Sequence, residues 1–112
     1  MEVRAVAKNT GIPASKVRLL VDMVRGKRVD EALTLLRFTP TPKAKLVAKV
    51  VKSAAANAEN NFQMDPADLK IVRIFADEAR SMRRFRPRSR GRVSPIRKRS
   101  SHITVIVAEQ EG

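Results

Sequence analysis

Residues 69–108 read LKIVRIFADEARSMRRFRPRSRGRVSPIRKRSSHITVIVA, two apolar, β-branched runs on either side of a segment of quite different composition. The run at 69–76 is rich in Ile, Val and Phe, and HITVIVA at 102–108 alternates strongly, so each has the period of a strand with one buried face. Of the twenty residues 80–99 between them, ten are basic and none is acidic. If the flanking strands pair antiparallel, the intervening residues must leave and return at one place. They then form a hairpin with its turn near Gly91, a residue that accepts positive φ. About twelve residues each way, at roughly 3.3 Å per residue, give a finger up to roughly 40 Å long.

Upstream, residues 2–8 alternate, with Val3, Ala5 and Ala7 on one face and Arg4 and Lys8 on the other, and supply a further strand. Pro13 suits a first helical turn, and Val17, Leu20, Val21 and Val24 recur at helical spacing until Gly26, a fitting C-terminal cap. Lys16, Arg18 and Arg25 lie off that apolar stripe. Asp30 and Glu31 favour a helix amino terminus ahead of Ala32, Leu33 and Leu36, and Pro40 ends the segment. Thr41-Pro42 starts a long third helix, with Val47, Val50, Val51, Ala54 and Ala58 on one face, running to about Asn60. Asn60-Asn61 and Asp65-Pro66 read as loop. The expected fold is α+β, a small three-stranded antiparallel sheet packed on three helices, with a long basic β-hairpin extension. Residues 1–112 make a single domain, of which 80–99 are the finger.

The arm carries +10 of the formal +13, and nine of its ten cations are Arg, whose planar fork suits bidentate phosphate contacts. A polyanion, nucleic acid first, is the partner this implies. The chain has no Trp or Tyr and four Phe, so recognition should rest on phosphate and shape rather than on an aromatic stacking platform. Only Met82, Phe85, Val93 and Ile96 interrupt the charge, too little to pack the arm on its own domain. Ordering it calls for negative charge on several sides, which a cleft or tunnel in folded RNA supplies and a flat duplex does not.

Other classes fit less well. Zero Cys removes disulfides, thiolate nucleophiles and Cys-based zinc sites, and suits a reducing, cytoplasmic setting. His102 is the only His, and with no Cys and no second His it makes a poor ligand set and suits a structural role at the finger's return; Asp77 and Glu78, adjacent in a strand, point to opposite faces and are better suited to ion pairs with neighbouring Arg. Neither an enzyme, a cofactor, a metal nor a small-molecule substrate is indicated. Apolar runs are too short to span a bilayer, and Pro87, Gly91 and Pro95 break any amphipathic basic helix in the arm, so no membrane role is expected. A small architectural DNA-binding protein is the main alternative, but the tip Ser89-Arg90-Gly91-Arg92 has nothing apolar to wedge between bases.

Three strings then become recognisable: KVRLLVDMVRGK at 16–27, SAAANAENN at 53–61, and RRFRPRSRGR at 83–92 followed by IRKRSSHITVIV at 96–107. Together, in this order and spacing, they cover the chain almost end to end, and the chain resembles the bacterial large-subunit ribosomal proteins of the L-twenty-two family. The resemblance implies an α+β domain bound to large-subunit ribosomal RNA near the exit of the peptide tunnel. Its hairpin would reach inward to line the tunnel, with neighbouring ribosomal proteins and the nascent peptide as further partners. It turns Lys16, Arg18, Arg25 and Lys27 from a solvated helix face into RNA contacts, a role also open to Asn57 and Asn60, which share one side of the third helix with Ser53. In the arm, Arg80, Arg83, Arg84, Arg86, Arg97, Lys98 and Arg99 are expected to bind RNA, and the tip, Arg88, Ser89, Arg90, Gly91 and Arg92, to face the peptide path. The chain departs from the family's usual residues at Ile12, where Ser is usual, at Ala79-Arg80, where Gly-Pro is usual, and at Ser89, where Ala is usual.

Overall fold

The structure is a computed structural model of the chain, and it describes residues 2–8, 10–79, 82–88, 92–98 and 100–109, the two hairpin strands through their backbone pairing. In chain order the elements are β1 (Glu2–Ala7), α1 (Ala14–Val24), α2 (Val29–Phe38), α3 (Pro42–Phe62), a single 3-10 turn (Pro66–Asp68), β2 (Leu69–Glu78), β3 (Met82–Arg88), β4 (Arg92–Lys98) and β5 (Ser101–Glu109). The expected α+β architecture is present. β5 is the central strand of an antiparallel sheet ordered β1-β5-β2, and β3 and β4 form a separate two-stranded ladder.

Burial explains why the most β-branched strand is central. Ile103, Val105 and Val107 of β5 face the helices and are fully buried, between Val3 and Ala5 of β1 and Leu69, Ile71, Ile74 and Ala76 of β2. α1 covers β2 and α3 covers β1 and β5. Their apolar stripes, Val17, Val21 and Val24 on α1 and Val47, Val51, Ala54 and Ala58 on α3, are wholly buried. The opposite sheet face carries no helix, and its rows read Arg4, Ile106, Arg73 and Val6, Thr104, Phe75 across the three strands. Thr104 is only 8% exposed, shielded by its two flanking neighbours.

β2 departs from the plain alternation expected of it. Ile71 pairs with Val107 and Arg73 with Ile106, so Val72 is an extra residue, a β-bulge. Val72 and Arg73 are exposed in succession, and the inward positions resume at Ile74. The strand also runs two residues further than the apolar run, to Glu78.

The helix ends follow from local chemistry. The Thr41 hydroxyl accepts from the Lys43 amide at the start of α3, and Pro42 fills the first turn. At the other end Gln63 adopts the left-handed conformation, φ 54°, so that the Met64 amide reaches back to the Ala58 carbonyl at 3.1 Å and the Met64 side chain tucks into the core. Gly26, one residue past the α1 cap, has φ 78°, the conformation that leaves a glycine there unstrained.

At the base of the finger Glu78 stands opposite Ser101, and the Ala79 amide donates to the Ser100 carbonyl at 3.0 Å. The next described pair is Met82 with Lys98, and the ladder then runs in step to Arg88 with Arg92. The return is tied down by the loop after β1. The Gly11 amide donates to the Ser100 hydroxyl at 2.9 Å, the Thr10 amide to the Ser101 carbonyl at 3.0 Å, and the buried Ser101 hydroxyl to the Ile12 carbonyl at 2.7 Å. The chain is 66 Å in its longest dimension and 17 Å in its shortest.

Candidate nucleic-acid interface

The hairpin is a seven-pair antiparallel ladder, about 23 Å long at 3.3 Å per residue, whose last pair is Arg88 with Arg92; the turn expected near Gly91 lies outside the described residues. Its register places Arg83 opposite Arg97 and Arg88 opposite Arg92. Like charges at directly opposed positions destabilise a ladder. One alternating set of rows pairs Met82 with Lys98, Arg84 with Ile96, Arg86 with Ser94 and Arg88 with Arg92, and the other pairs Arg83 with Arg97, Phe85 with Pro95 and Pro87 with Val93, so both sets carry basic residues. Of the finger residues expected to bind, Arg83, Arg84, Arg86, Arg88, Arg92, Arg97 and Lys98 sit on these strands. Arg80, Ser89, Arg90, Gly91 and Arg99 lie outside the described residues.

Of the four cations read from α1 and its exit, Arg18 and Arg25 reach the edge of β2 with their side chains and Lys27 with its backbone. The Arg18 guanidinium donates to the Ala76 carbonyl at 3.4 Å, and that of Arg25 to the Ile74 carbonyl at 3.0 Å; the Lys27 carbonyl accepts from the Ile71 amide at 2.9 Å. Arg25 also pairs with Asp22 at 2.6 Å. These contacts occupy backbone groups on the outer edge of β2, which would otherwise invite pairing with another strand. They also set up a basic row that runs along β2 towards the finger. Lys16 is exposed on α1 and makes none of these contacts. Arg18 and Arg25 thus have a structural task that their place off the apolar stripe did not reveal, though exposed guanidinium surface remains on both.

Asn57, half-buried, and Asn60, exposed, lie on α3, while Ala54 and Ala58 of the same helix are sealed against the sheet, so the division of that helix into two faces holds. α3 packs over β1 and β5, away from the β2 edge, and the structure does not gather these amides with the α1 cations. Asp77 and Glu78 are exposed and pair with no described cation; their neighbour Arg80 lies outside the described residues. Hydrogen bonds at the finger's return come from Ser100 and Ser101, while half-buried His102 stands in register with Asp77.

A second basic surface was passed over in the sequence. Lys45, Lys49 and Lys52 recur at spacings of four and three on the solvent side of α3, and with Arg37 of α2 they line a groove of about 760 Å³ between the two helices. The signal was there in PKAKLVAKVVK, but the apolar stripe of the same helix drew the reading. Among the described residues there is no cluster of potential metal ligands and no helix long and apolar enough to cross a membrane.

A small two-layer α+β body that carries a separate two-stranded hairpin rich in arginine defines a class, a small basic protein with a cationic extension. The particular family follows from comparison. Residues 5–108 match the model of ribosomal protein L22p/L17e, and the chain belongs to that family of ribosomal proteins, which are structural and not enzymes. It is 71% identical over 109 residues to the large ribosomal subunit protein uL22 of Dehalococcoides mccartyi, covering 97% of this chain and all of that one. It is 54% identical over 110 residues to the uL22 protein of Pediococcus pentosaceus, covering 97% and 93%, and 53% identical over 105 residues to that of Ligilactobacillus salivarius, covering 94% and 91%.

Proposed function

We propose that this chain is a structural constituent of the large ribosomal subunit in the bacterial cytoplasm, where it binds large-subunit ribosomal RNA and neighbouring ribosomal proteins while its hairpin lines the nascent-peptide exit tunnel. The observation that carries the reading is the register of the hairpin. Directly opposed arginines with no acidic residue in 80–99 make a ladder that is costly in water and gains when phosphates surround it. Arg83, Arg84, Arg86, Arg97 and Lys98, with Arg80 and Arg99 at the base, serve the RNA. The tip from Arg88 to Arg92 meets the peptide.

The basic row along the β2 edge continues the same RNA surface back onto the body, with Lys16, Arg18 and Lys27 as its contributors and Arg25 the least available, being already paired with Asp22. Asn57 and Asn60 are separate, closer to a sugar or phosphate that approaches α3. Two measurements test the proposal. Tagged protein should co-sediment with large subunits, and a photoreactive residue at position 90 should capture stalled nascent chains. Capture of ribosomal RNA alone would remove the tunnel-facing role. Sedimentation with chromatin instead of ribosomes would favour an architectural DNA-binding protein.

A further inference from the structure

The groove between α2 and α3 belongs to the helical layer, whereas the finger grows from the sheet. Its lining holds four cations, Arg37, Lys45, Lys49 and Lys52, and no carboxylate. The three lysines make no ion pair with a described residue, and Arg37 lies over the Phe38 ring, 5.9 Å from its centroid. Four uncompensated charges around a concave surface focus a positive potential there.

The spacing narrows the choice of anion. Lys45 to Lys52 spans seven residues, about 10 Å along the helix axis. Three cations over that length, with no carboxylate in the lining, suit a chain that carries a charge on every unit, as a nucleic-acid strand does, better than an acidic peptide, whose carboxylates keep no fixed interval. Between the charges the lining mixes Leu33, Leu36 and Ala48 with Thr34, Thr39 and Thr41, so a ribose can rest its carbon face on the apolar residues and offer its hydroxyl to the threonines. Beside the groove, Phe38 leaves 76% of its surface open.

We infer that the α2–α3 groove is a second RNA seat, in which Lys45, Lys49 and Lys52 hold the sugar–phosphate backbone of one strand of large-subunit ribosomal RNA against Arg37. The inference rests on the RNA-binding reading above and adds a contact that does not involve the finger. Each lysine neutralises about one phosphate. K45Q/K49Q/K52Q should therefore lower the log–log salt slope of RNA binding by about 2 to 3. All three side chains are exposed, so the thermal unfolding of this variant should match that of the parent.

The deciding experiment is directed hydroxyl-radical probing within assembled large subunits. The chain has no native Cys, so an iron chelate can be tethered at Lys49→Cys and, separately, at Arg90→Cys. Cleavage of ribosomal RNA from position 49, together with the reduced salt slope, is the expected result. Cleavage from position 90 with none from position 49 would overturn the groove seat and leave the RNA-binding reading standing, as would a neighbouring protein cut from position 49 with RNA untouched. Silence from both positions would overturn both. An unchanged slope in the triple variant would also reject the groove, whatever the finger does.

Discussion

Substituting Ser101 with Ala is the sharpest test of how the finger is tied to the body. The residue is fully buried, and its hydroxyl donates to the Ile12 carbonyl at 2.7 Å. That proton is then committed, so in the 2.8 Å contact with Thr10 Oγ1 the Thr10 hydroxyl must be the donor. Thr10 Oγ1 in turn accepts from the Ile12 amide at 3.3 Å, which closes a ring of polar groups between the loop after β1 and the first residue of β5. Ser101→Ala deletes two of these bonds and leaves the Ile12 carbonyl with only the Thr10 hydroxyl, 3.4 Å away and poorly placed. Stripping an acceptor of its partner costs about 1–3 kcal/mol, and although this bond is part-buried a loss of about 2 is expected, because the fully buried Ser101 gives up two bonds and the long contact compensates little. Thr10→Val should cost less, about 1 kcal/mol, since its group is only part-buried. With no Trp or Tyr to report, unfolding is best followed by far-ultraviolet circular dichroism in urea. At an m-value of about 2 kcal/mol/M the midpoint for Ser101→Ala should fall by about 1 M with m unchanged. The double variant should cost less than the sum of the two singles, because they share a bond. A loss under about 0.5 kcal/mol for Ser101→Ala, or strict additivity in the double variant, would refute the ring.

Gln63→Gly should stabilise the protein by about 1 kcal/mol, because an L-residue pays to sit in the left-handed region that the α3 cap requires; a lower melting temperature would show that the Gln63 side chain matters instead. Val51→Ala, fully buried on the inner face of α3, should cost about 2 kcal/mol, whereas Leu19→Ala, 77% exposed on α1, should change stability by less than about 0.5; equal effects in urea melts would place the core elsewhere. Replacing 80–99 with an Asn-Gly turn, joined where Ala79 already meets Ser100, should leave a cooperative transition; loss of amide dispersion in the shortened chain would mean that the finger supports the core.

Where periodicity was strong the sequence was transparent. The three helices stand where their apolar stripes put them, with boundaries at Gly26, Pro40 and Thr41-Pro42, although α3 runs on to Phe62 through Asn60-Asn61, which the sequence reads as loop, and the two runs around the arm pair as expected. What escaped lies where a residue acts on backbone rather than on its own pattern. The bulge at Val72 depends on the register of β5, which a strand read alone does not contain. Arg18 and Arg25 looked like free cations because the carbonyls they meet lie about fifty residues or more further along the chain. Ser101 drew no notice, since a lone Ser beside an apolar run reads as loop until Thr10 and Ile12 are brought against it. The lysines of the α2–α3 groove become a set only once α2 supplies the opposite wall.

The unbroken seven-pair register of β3 with β4 makes the length of this arm a matter of parity. A strand presents alternate positions to alternate sides, so removing Arg83 from the outgoing strand would move Phe85 and Pro87 into the rows now held by Arg84 and Arg86 and leave the returning strand unmoved. The arm can therefore lengthen or shorten in matched steps, one residue on each strand at a time, but a single unmatched insertion scrambles every row beyond it. Substitutions along the finger are local events, and an unmatched deletion near its root is a change of frame.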